Sequence, residues 1–394
     1  MKSFIILLSF LLATVTFTVT FTATNDVVTK DWTIAVFLNG DNNLDYYGDL
    51  DIAEMQAVGS TTKMNIVVMR DTSKAATSTK ILYIEKGKST PVYDYGKNMD
   101  MGDWNNLVGF FQYIKENYPA KNYMIDIWNH GAGWIRSNTL PLRGISYDDN
   151  SGNHITTPQL GQAMEAIKQI NDGKNIAILG MDACLMQMIE IEYEIKDSVD
   201  YVAASEETEP GKGWPYDNFL APLAKSKRML AKDLAGTLTR EYVNSYTNGS
   251  QGPSSVQFST IELKTMAKAI SDLNIWTDYI ITNFDSFKTQ LKTAQSKAQK
   301  YAYSNNKDLI HFINLAMQSI SDEQFKILSS NLLNSIQLSV IENKYNGSSL
   351  QNSKGIAVWI PSKYSYSGSK KAYQELKWGK DSSWVKFLDK ISTL

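Results

Sequence analysis

Tyr123-Met-Ile-Asp-Ile-Trp-Asn-His130-Gly131-Ala-Gly-Trp134 and Ile176-Ala-Ile-Leu-Gly-Met-Asp182-Ala183-Cys184 are short apolar runs that each close on a reactive side chain. Runs rich in Ile, Met and Trp that end in Asn, Gly or Asp have the composition of strands buried on both faces of a parallel sheet. Loops at the carboxyl ends of such strands are where α/β proteins place their chemistry. Working outward, Trp32 to Gly40 reads as the first core strand, Met64 to Arg70 as the second and Thr79 to Glu85 as a third or an edge strand. Asp41-Asn-Asn-Leu offers side-chain oxygens to a helix running to about Val58, and Asn105 to Tyr118 reads as the helix leading into the His130 strand. Between the two quoted runs lie a loop from Ile135 to Arg143, a short strand from Gly144 to Asp149 and a turn at Asn150 to Asn153. Pro158 then opens a helix, read over Gln159 to Ile170, whose Leu160, Ala163, Met164 and Ile167 recur at helical spacing.

Past Cys184 a helix is expected from about Leu185, with Glu190, Glu192 and Glu194 on a solvated face. Asp200 to Ser205 reads as the next strand, and its loop, Glu206 to Trp214, leaves the sheet on the same edge as the other two. Ser255 to Leu263 is one further strand, residues 265 to 345 look mostly helical, Gly355 to Pro361 reads as a last strand and the Ser/Tyr/Gly-rich piece to Ser369 as a loop. The alternation predicts an α/β fold. No internal repeat or low-complexity block interrupts it.

Cys184 is the only cysteine, so no internal disulfide can form, and His130 is one of three histidines, with His154 and His311. A free Cys after a strand is commonly a small buried hydrophobe, and an isolated His commonly a structural hydrogen-bonder. Here both follow strand ends, and Gly131-Ala-Gly133 lets backbone approach a ligand closely. A lone Cys with a His roughly 50 residues upstream at the end of another strand is the outline of a thiol peptidase of the caspase-like kind. In that chemistry Cys184 is the nucleophile and His130 protonates the leaving nitrogen, then activates water. The backbone N–H groups of Gly131 and Cys184 are the natural oxyanion donors, because glycine leaves the first unshielded.

His130-Gly131 with Gly133-Trp134, Asp182-Ala183-Cys184-Leu-Met followed by Glu190, and Ala204-Ser205-Glu206-Glu207 running into Pro210-Gly-x-Gly213-Trp214-x-Tyr216 together resemble the clostripain family of cysteine peptidases. These are relatives of caspases, legumain, gingipains and separase. The resemblance is close over roughly residues 32 to 225 and looser beyond; the order and spacing of the motifs carry it. It implies a caspase-like three-layer α/β/α sandwich with a mostly parallel central sheet and a mainly helical C-terminal region. The implied division is a signal peptide over 1–24, a peptidase core over 25–225 and a C-terminal region over 226–394 that completes the fold. It implies a Cys-His dyad needing no third member and an acid at Glu190. It also places Asp182 at the bottom of a pocket for arginine or lysine before the scissile bond, where a buried carboxylate would pair with a cation. The alternative for Asp182 is a cap on the following helix.

One departure bears on specificity. Some relatives carry a second acid where this chain has Lys212. Pointing inward, Lys212 would oppose a basic substrate residue; pointing outward, it would leave Glu206, Glu207 or Glu209 to make the cleft acidic. Glu206, Glu207, Lys212 and Trp214 are therefore expected to contact substrate along with Asp182. Relatives are commonly activated by a cut between the catalytic His and Cys, and Arg136 and Arg143 are the basic candidates for autocleavage there.

Lys2 followed by the apolar run Phe4 to Ala13 reads as a signal peptide cleaved near Ala23 to Asn25. The uncharged continuation through Thr24 keeps an uncleaved anchor of about 20 residues as the alternative. The expected location is secreted, cell-surface or periplasmic, with no stable membrane association after removal of the segment. Net charge is −2, with 39 basic and 41 acidic side chains spread evenly, so no basic stripe for nucleic acid stands out and the expected partners are proteins or peptides. No Gly-x-Gly-x-x-Gly follows the first strand and no phosphate loop occurs. The remaining non-enzyme reading is a peptidase-like binding protein without activity, against which both reactive side chains count. No cofactor is required. Asp41, Asn43 and Asp45 resemble the front of a calcium loop, but Tyr46 stands where its glycine belongs, which leaves calcium as a candidate ion only.

Overall fold

A computed structural model of the chain describes residues 28–134 and 144–394. The signal-peptide segment and the two arginines at 136 and 143 lie outside the described residues. In chain order the first half contains β1 (Lys30–Gly40), α1 (Asp45–Val58), β2 (Met64–Thr72), β3 (Lys80–Glu85), β4 (Lys88–Asp94), α2 (Trp104–Asn117), β5 (Ala120–Trp128), β6 (Gly144–Asp148), β7 (Asn153–Thr156), α3 (Thr157–Ile170), β8 (Ile176–Asp182), α4 (Ile189–Ile195) and β9 (Val199–Ala204). The second half adds α5 (Tyr216–Lys225), α6 (Ala231–Ser245), β10 (Val256–Glu262), α7 (Met266–Thr282), α8 (Phe284–Lys297), β11 (Asn306–Asp308), α9 (Leu309–Ser319), α10 (Glu323–Ser339), β12 (Val340–Asn346), β13 (Ala357–Trp359), α11 (Lys363–Glu375), α12 (Lys377–Asp381) and α13 (Trp384–Ile391).

Nine strands form one sheet in the order β12-β10-β9-β8-β5-β1-β2-β3-β4. The middle five, β9, β8, β5, β1 and β2, run parallel, and antiparallel strands finish both edges. Side chains alternate across the pleat, so β1 sends Ala35 and Phe37 to one face and Trp32, Ile34, Val36 and Leu38 to the other. The first face is covered by α2, α3 and α4 through Leu107, Phe110, Phe111, Leu160, Met164, Ile167 and Ile191. The second is covered by α1, α5 and α6 through Met55, Phe219, Leu220, Leu238 and Tyr242. This is the expected three-layer α/β/α sandwich with a mostly parallel sheet. Helix α3 starts on a complete capping box, Thr156 with Gln159, followed by Pro158, which fixes where its apolar stripe meets the sheet.

Several expectations need correction. Glu190, Glu192 and Glu194 are not solvated; all three are buried, because the C-terminal region packs over α4. The helix after Cys184 starts at Ile189 rather than near Leu185, whose φ of 64° is left-handed and cannot continue a helix. The first helix starts at Asp45, with Asn42 Oδ1 accepting from the Leu44 N–H. The Ser/Tyr/Gly-rich piece read as a loop is mostly α11, started by Ser362 accepting from the Ser365 N–H and held by buried Tyr366 and Tyr373. The region 265 to 345 also contains β11 and the edge strand β12. The strand read at Gly355 to Pro361 is shorter, Ala357–Trp359, and pairs with β11 outside the main sheet. Strands β10 and β12 join the main sheet, so sequence on both sides of residue 225 builds one core. Among the described residues no helix is long and apolar enough to cross a membrane.

Candidate active site

The parallel register decides where the reactive residues meet. Trp128 at the end of β5 is paired with Asp182 at the end of β8, so the chain leaves both strands on the same edge two residues before His130 and Cys184. His130, Asp182 and Cys184 line one cavity of about 190 Å³, together with Leu44, Glu209, Pro210 and Gly213. A larger cavity of about 700 Å³ lies at the opposite end of the strands, beside Asp31, Trp32, Lys63 and Arg228. It holds neither reactive residue, and the carboxyl edge of a parallel sheet is where chemistry is expected.

Two glycines make the close packing possible. A Cβ at Gly131 would stand 2.5 Å from the Cys184 carbonyl oxygen. One at Gly213, which has a φ of 59°, would stand 2.8 Å from Asp182 Oδ2. Cys184 is half-buried; its Sγ accepts from the Glu209 N–H at 3.3 Å. Burial pushes the thiol above its ordinary range, with Asp182 and Glu207 adding to the effect. His130 Nε2 lies 2.7 Å from Asn43 Oδ1. An amide oxygen accepts, so Nε2 carries the proton and Nδ1 is left as the basic nitrogen. Burial lowers the His130 pKa and Asp149 partly opposes it, so the resting pair is a neutral thiol and a neutral imidazole.

Asp182 does not cap a helix. Its Oδ2 accepts from the Trp214 N–H at 3.1 Å and faces the Tyr216 hydroxyl at 3.1 Å, and that hydroxyl donates to Asp126 Oδ2 at 2.6 Å. The Asp182 N–H in turn donates to Asp126 Oδ1. Asp51 stands behind, accepting from the Trp128 indole N–H at 2.6 Å. Burial, then repulsion from Asp182, holds Asp51 well above the carboxylate range; burial, then repulsion from Asp126, does the same to Asp182; and burial alone pushes Asp126 up to about 7. The floor of the cavity is thus a nest of buried acids supported by neutral donors, an arrangement that a cation would stabilise.

The other residues expected at the cleft are placed differently. Glu206 is fully buried away from the cavity, accepting from the Gly355 N–H and facing Asp308 and Tyr301. Glu207 accepts from the Thr208 and Ala302 N–H groups. Lys212 is exposed, outside the cavity lining, and its charge acts on Glu54. The Trp214 indole lies in the core against Gly180, Phe219 and Phe258, and contributes its backbone N–H to Asp182. Glu190 is buried under Trp359 and Tyr373, remote from the cavity lining. Asn43, Asp126 and Tyr216 were not expected at the site. Asp126 left a signal as a charge inside an otherwise apolar strand, and Tyr216 as the last residue of the Gly213-Trp214-x-Tyr216 motif.

The calcium-loop residues do not converge: Asn43 meets His130, Asp45 pairs with Arg70, and Asp41 turns to Asp71 and Asp148. Among the described residues the group with metal-ligand spacing is Asp41, Asp71 and Asp148, whose ligand atoms lie within 4.8 Å of one another. Burial pushes Asp41 up to about 6 and Asp71 up to about 7.

The model of the clostripain family matches residues 36–390. Clostripain of Hathewaya histolytica is 28% identical over 215 residues, which cover 47% of this chain and 40% of that protein, so the chain spans less than half the length of the curated relative it matches. A secreted C11 cysteine protease of Bacteroides thetaiotaomicron, solved with an irreversible peptide inhibitor, superposes with a TM-score of 0.70 at 20% identity, over 90% of this chain and 99% of that one. An inactive zymogen C11 protease of Parabacteroides distasonis gives a TM-score of 0.67 at 16% identity, over 90% and 98% of the two chains. These likenesses establish a shared fold, and the match over residues 36–390 establishes descent: the chain belongs to the clostripain family of cysteine peptidases.

Proposed function

We propose that this protein is an exported cysteine endopeptidase that cleaves peptide bonds after arginine or lysine through Cys184 and His130. The observation that carries the reading is the convergence of Cys184, His130 and the acid Asp182 on one cavity at the carboxyl edge of the sheet. The inhibitor-bound relative supports a peptide as the ligand of such a site.

The chemistry follows from neutral partners. As the Cys184 sulfur attacks the carbonyl carbon, its proton passes to His130 Nδ1, and the Gly131 and Cys184 N–H groups hold the oxyanion. The imidazolium then gives that proton to the nitrogen as the C–N bond breaks, leaving a thioester. Water loses a proton to His130 and attacks the thioester; the C–S bond breaks and the sulfur recovers its proton. Asn43 holds the ring so that Nδ1 is the atom that exchanges protons. Asp182, backed by Asp126 and Asp51, receives the basic side chain. Any divalent-ion dependence is assigned to Asp41, Asp71 and Asp148.

Specificity tests the reading. Hydrolysis of peptide amides is expected to be faster after Arg or Lys than after Asp, Leu or Ala, and Asp182→Asn should remove most of that preference. Removing one partner of a buried charge pair costs about 3–5 kcal/mol, so kcat/KM for basic substrates should fall by orders of magnitude. A wild-type preference for an acidic residue would overturn the assignment of Asp182.

A further inference from the structure

We infer that Glu209 is a second specificity-determining residue, forming with Asp182 a two-carboxylate pocket shaped for a guanidinium rather than an ammonium. The inference rests on the proposed reading of the cavity as a cleft for basic residues. Glu209 is tied to the reacting sulfur by its backbone: its N–H donates to Cys184 Sγ at 3.3 Å, and the thiol faces its carbonyl oxygen at 3.8 Å. That anchoring fixes where the side chain begins. The side chain turns inward and lines the same cavity as Asp182. Its Oε2 accepts from the Trp214 indole N–H at 3.1 Å, while Oε1 is buried with no hydrogen-bond partner.

A buried carboxylate oxygen without a donor is costly unless a ligand supplies one. Asp182 Oδ2 is already engaged by the Trp214 N–H and the Tyr216 hydroxyl, so Asp182 alone offers a cation little more than one oxygen. The Asp182 and Glu209 carboxyls line the same cavity; burial raises the pKa of both, and repulsion from Asp182 raises that of Glu209 further. A guanidinium presents N–H groups along two edges of a plane and can bond Asp182 with one and Glu209 Oε1 with the other; an ammonium is a compact point charge without that fork. Lys212, exposed and outside the lining, leaves this pair unopposed.

The test compares kcat/KM for peptide amides that differ only in arginine, lysine or citrulline before the scissile bond, for the wild type, Glu209→Gln and Asp182→Asn. Glu209→Gln is expected to reduce the arginine-to-lysine ratio by about 10-fold to 100-fold, whereas Asp182→Asn lowers both basic substrates. A purely structural Glu209, serving only to hold the Trp214 indole, would lower both substrates together and leave the ratio unchanged, which overturns the inference. A wild type that prefers neither basic residue overturns the underlying reading and this inference with it; an arginine preference that survives Glu209→Gln overturns the inference alone. A measurement on the wild type guards against a misfolded variant: agmatine should compete at least about 10-fold more strongly than cadaverine, and equal competition contradicts a guanidinium pocket.

Discussion

At the scale of single residues, the site depends on neutral hydrogen-bonding groups that fix titratable ones. Asn43 is the clearest case, since its oxygen determines which nitrogen of His130 carries the proton. Asn43→Ala is expected to lower kcat by about 10-fold to 100-fold with little change in KM, because the substrate still binds while the base loses its orientation. Steady-state kinetics on an arginyl substrate check this, and an effect confined to KM would contradict it. Nothing in Asn43 as a sequence symbol marked this role, since it lies far from His130 along the chain. That Cys184, His130 and Asp182 come to one edge of the sheet was legible because each closes, or lies two residues past, a strand whose apolar composition stands out.

Elements show why some of the sequence misleads. Three glutamates in seven residues look like solvent contact, yet α4 is covered by β13, α11 and α12, whose contacting residues lie 169 to 183 positions later. Glu190 accepts from the Trp359 N–H and the Tyr373 hydroxyl, each at 2.8 Å, and burial still pushes it up to about 7 from 4.5. The folded state therefore holds this proton more tightly than the unfolded chain. Its contribution to stability is full below about 4.5 and is lost as pH rises through about 7. Melting temperatures of the wild type should fall between pH 5 and pH 8, and Glu190→Gln should melt a few degrees higher than the wild type at pH 8. Identical pH slopes for the two proteins would contradict the assignment. Edge strand β12 was missed for a related reason: Val340-Ile-Glu-Asn-Lys-Tyr-Asn346 is half-buried and polar, so it lacks the apolar run that betrays β5 and β8. Helix α11 carries weak helix formers and is held by tertiary packing of its tyrosines.

At the scale of the molecule, the C-terminal half is part of the same body as the site. Trp134, four residues past His130, packs edge-on against Trp359 and Tyr373 with ring centres 4.8 and 4.6 Å away. Through this contact, and through β10 and β12 in the main sheet, residues on both sides of 225 share one core. It also bears on activation, which we propose occurs by self-cleavage between Trp134 and Gly144. The wild type is expected to split at Arg143, or at Arg136, into fragments of roughly 120 and 250 residues that stay joined, because β5 and β8 lie on either side of the cut and are neighbours in the sheet. Cys184→Ala purified alone should stay whole; a cut in that variant, or full activity in uncut wild type, would contradict self-processing.

The most direct measurement is covalent capture of the thiol by a peptide carrying arginine next to an electrophilic ketone, read as the mass added to the protein, alongside turnover of the matching peptide amide. One adduct on Cys184 is expected in the wild type, with turnover. Neither adduct nor turnover is expected in Cys184→Ala, and His130→Ala should lose turnover with the fold retained. Turnover that survives Cys184→Ala, or that requires His154 or His311 in place of His130, would contradict a Cys184–His130 thiol peptidase.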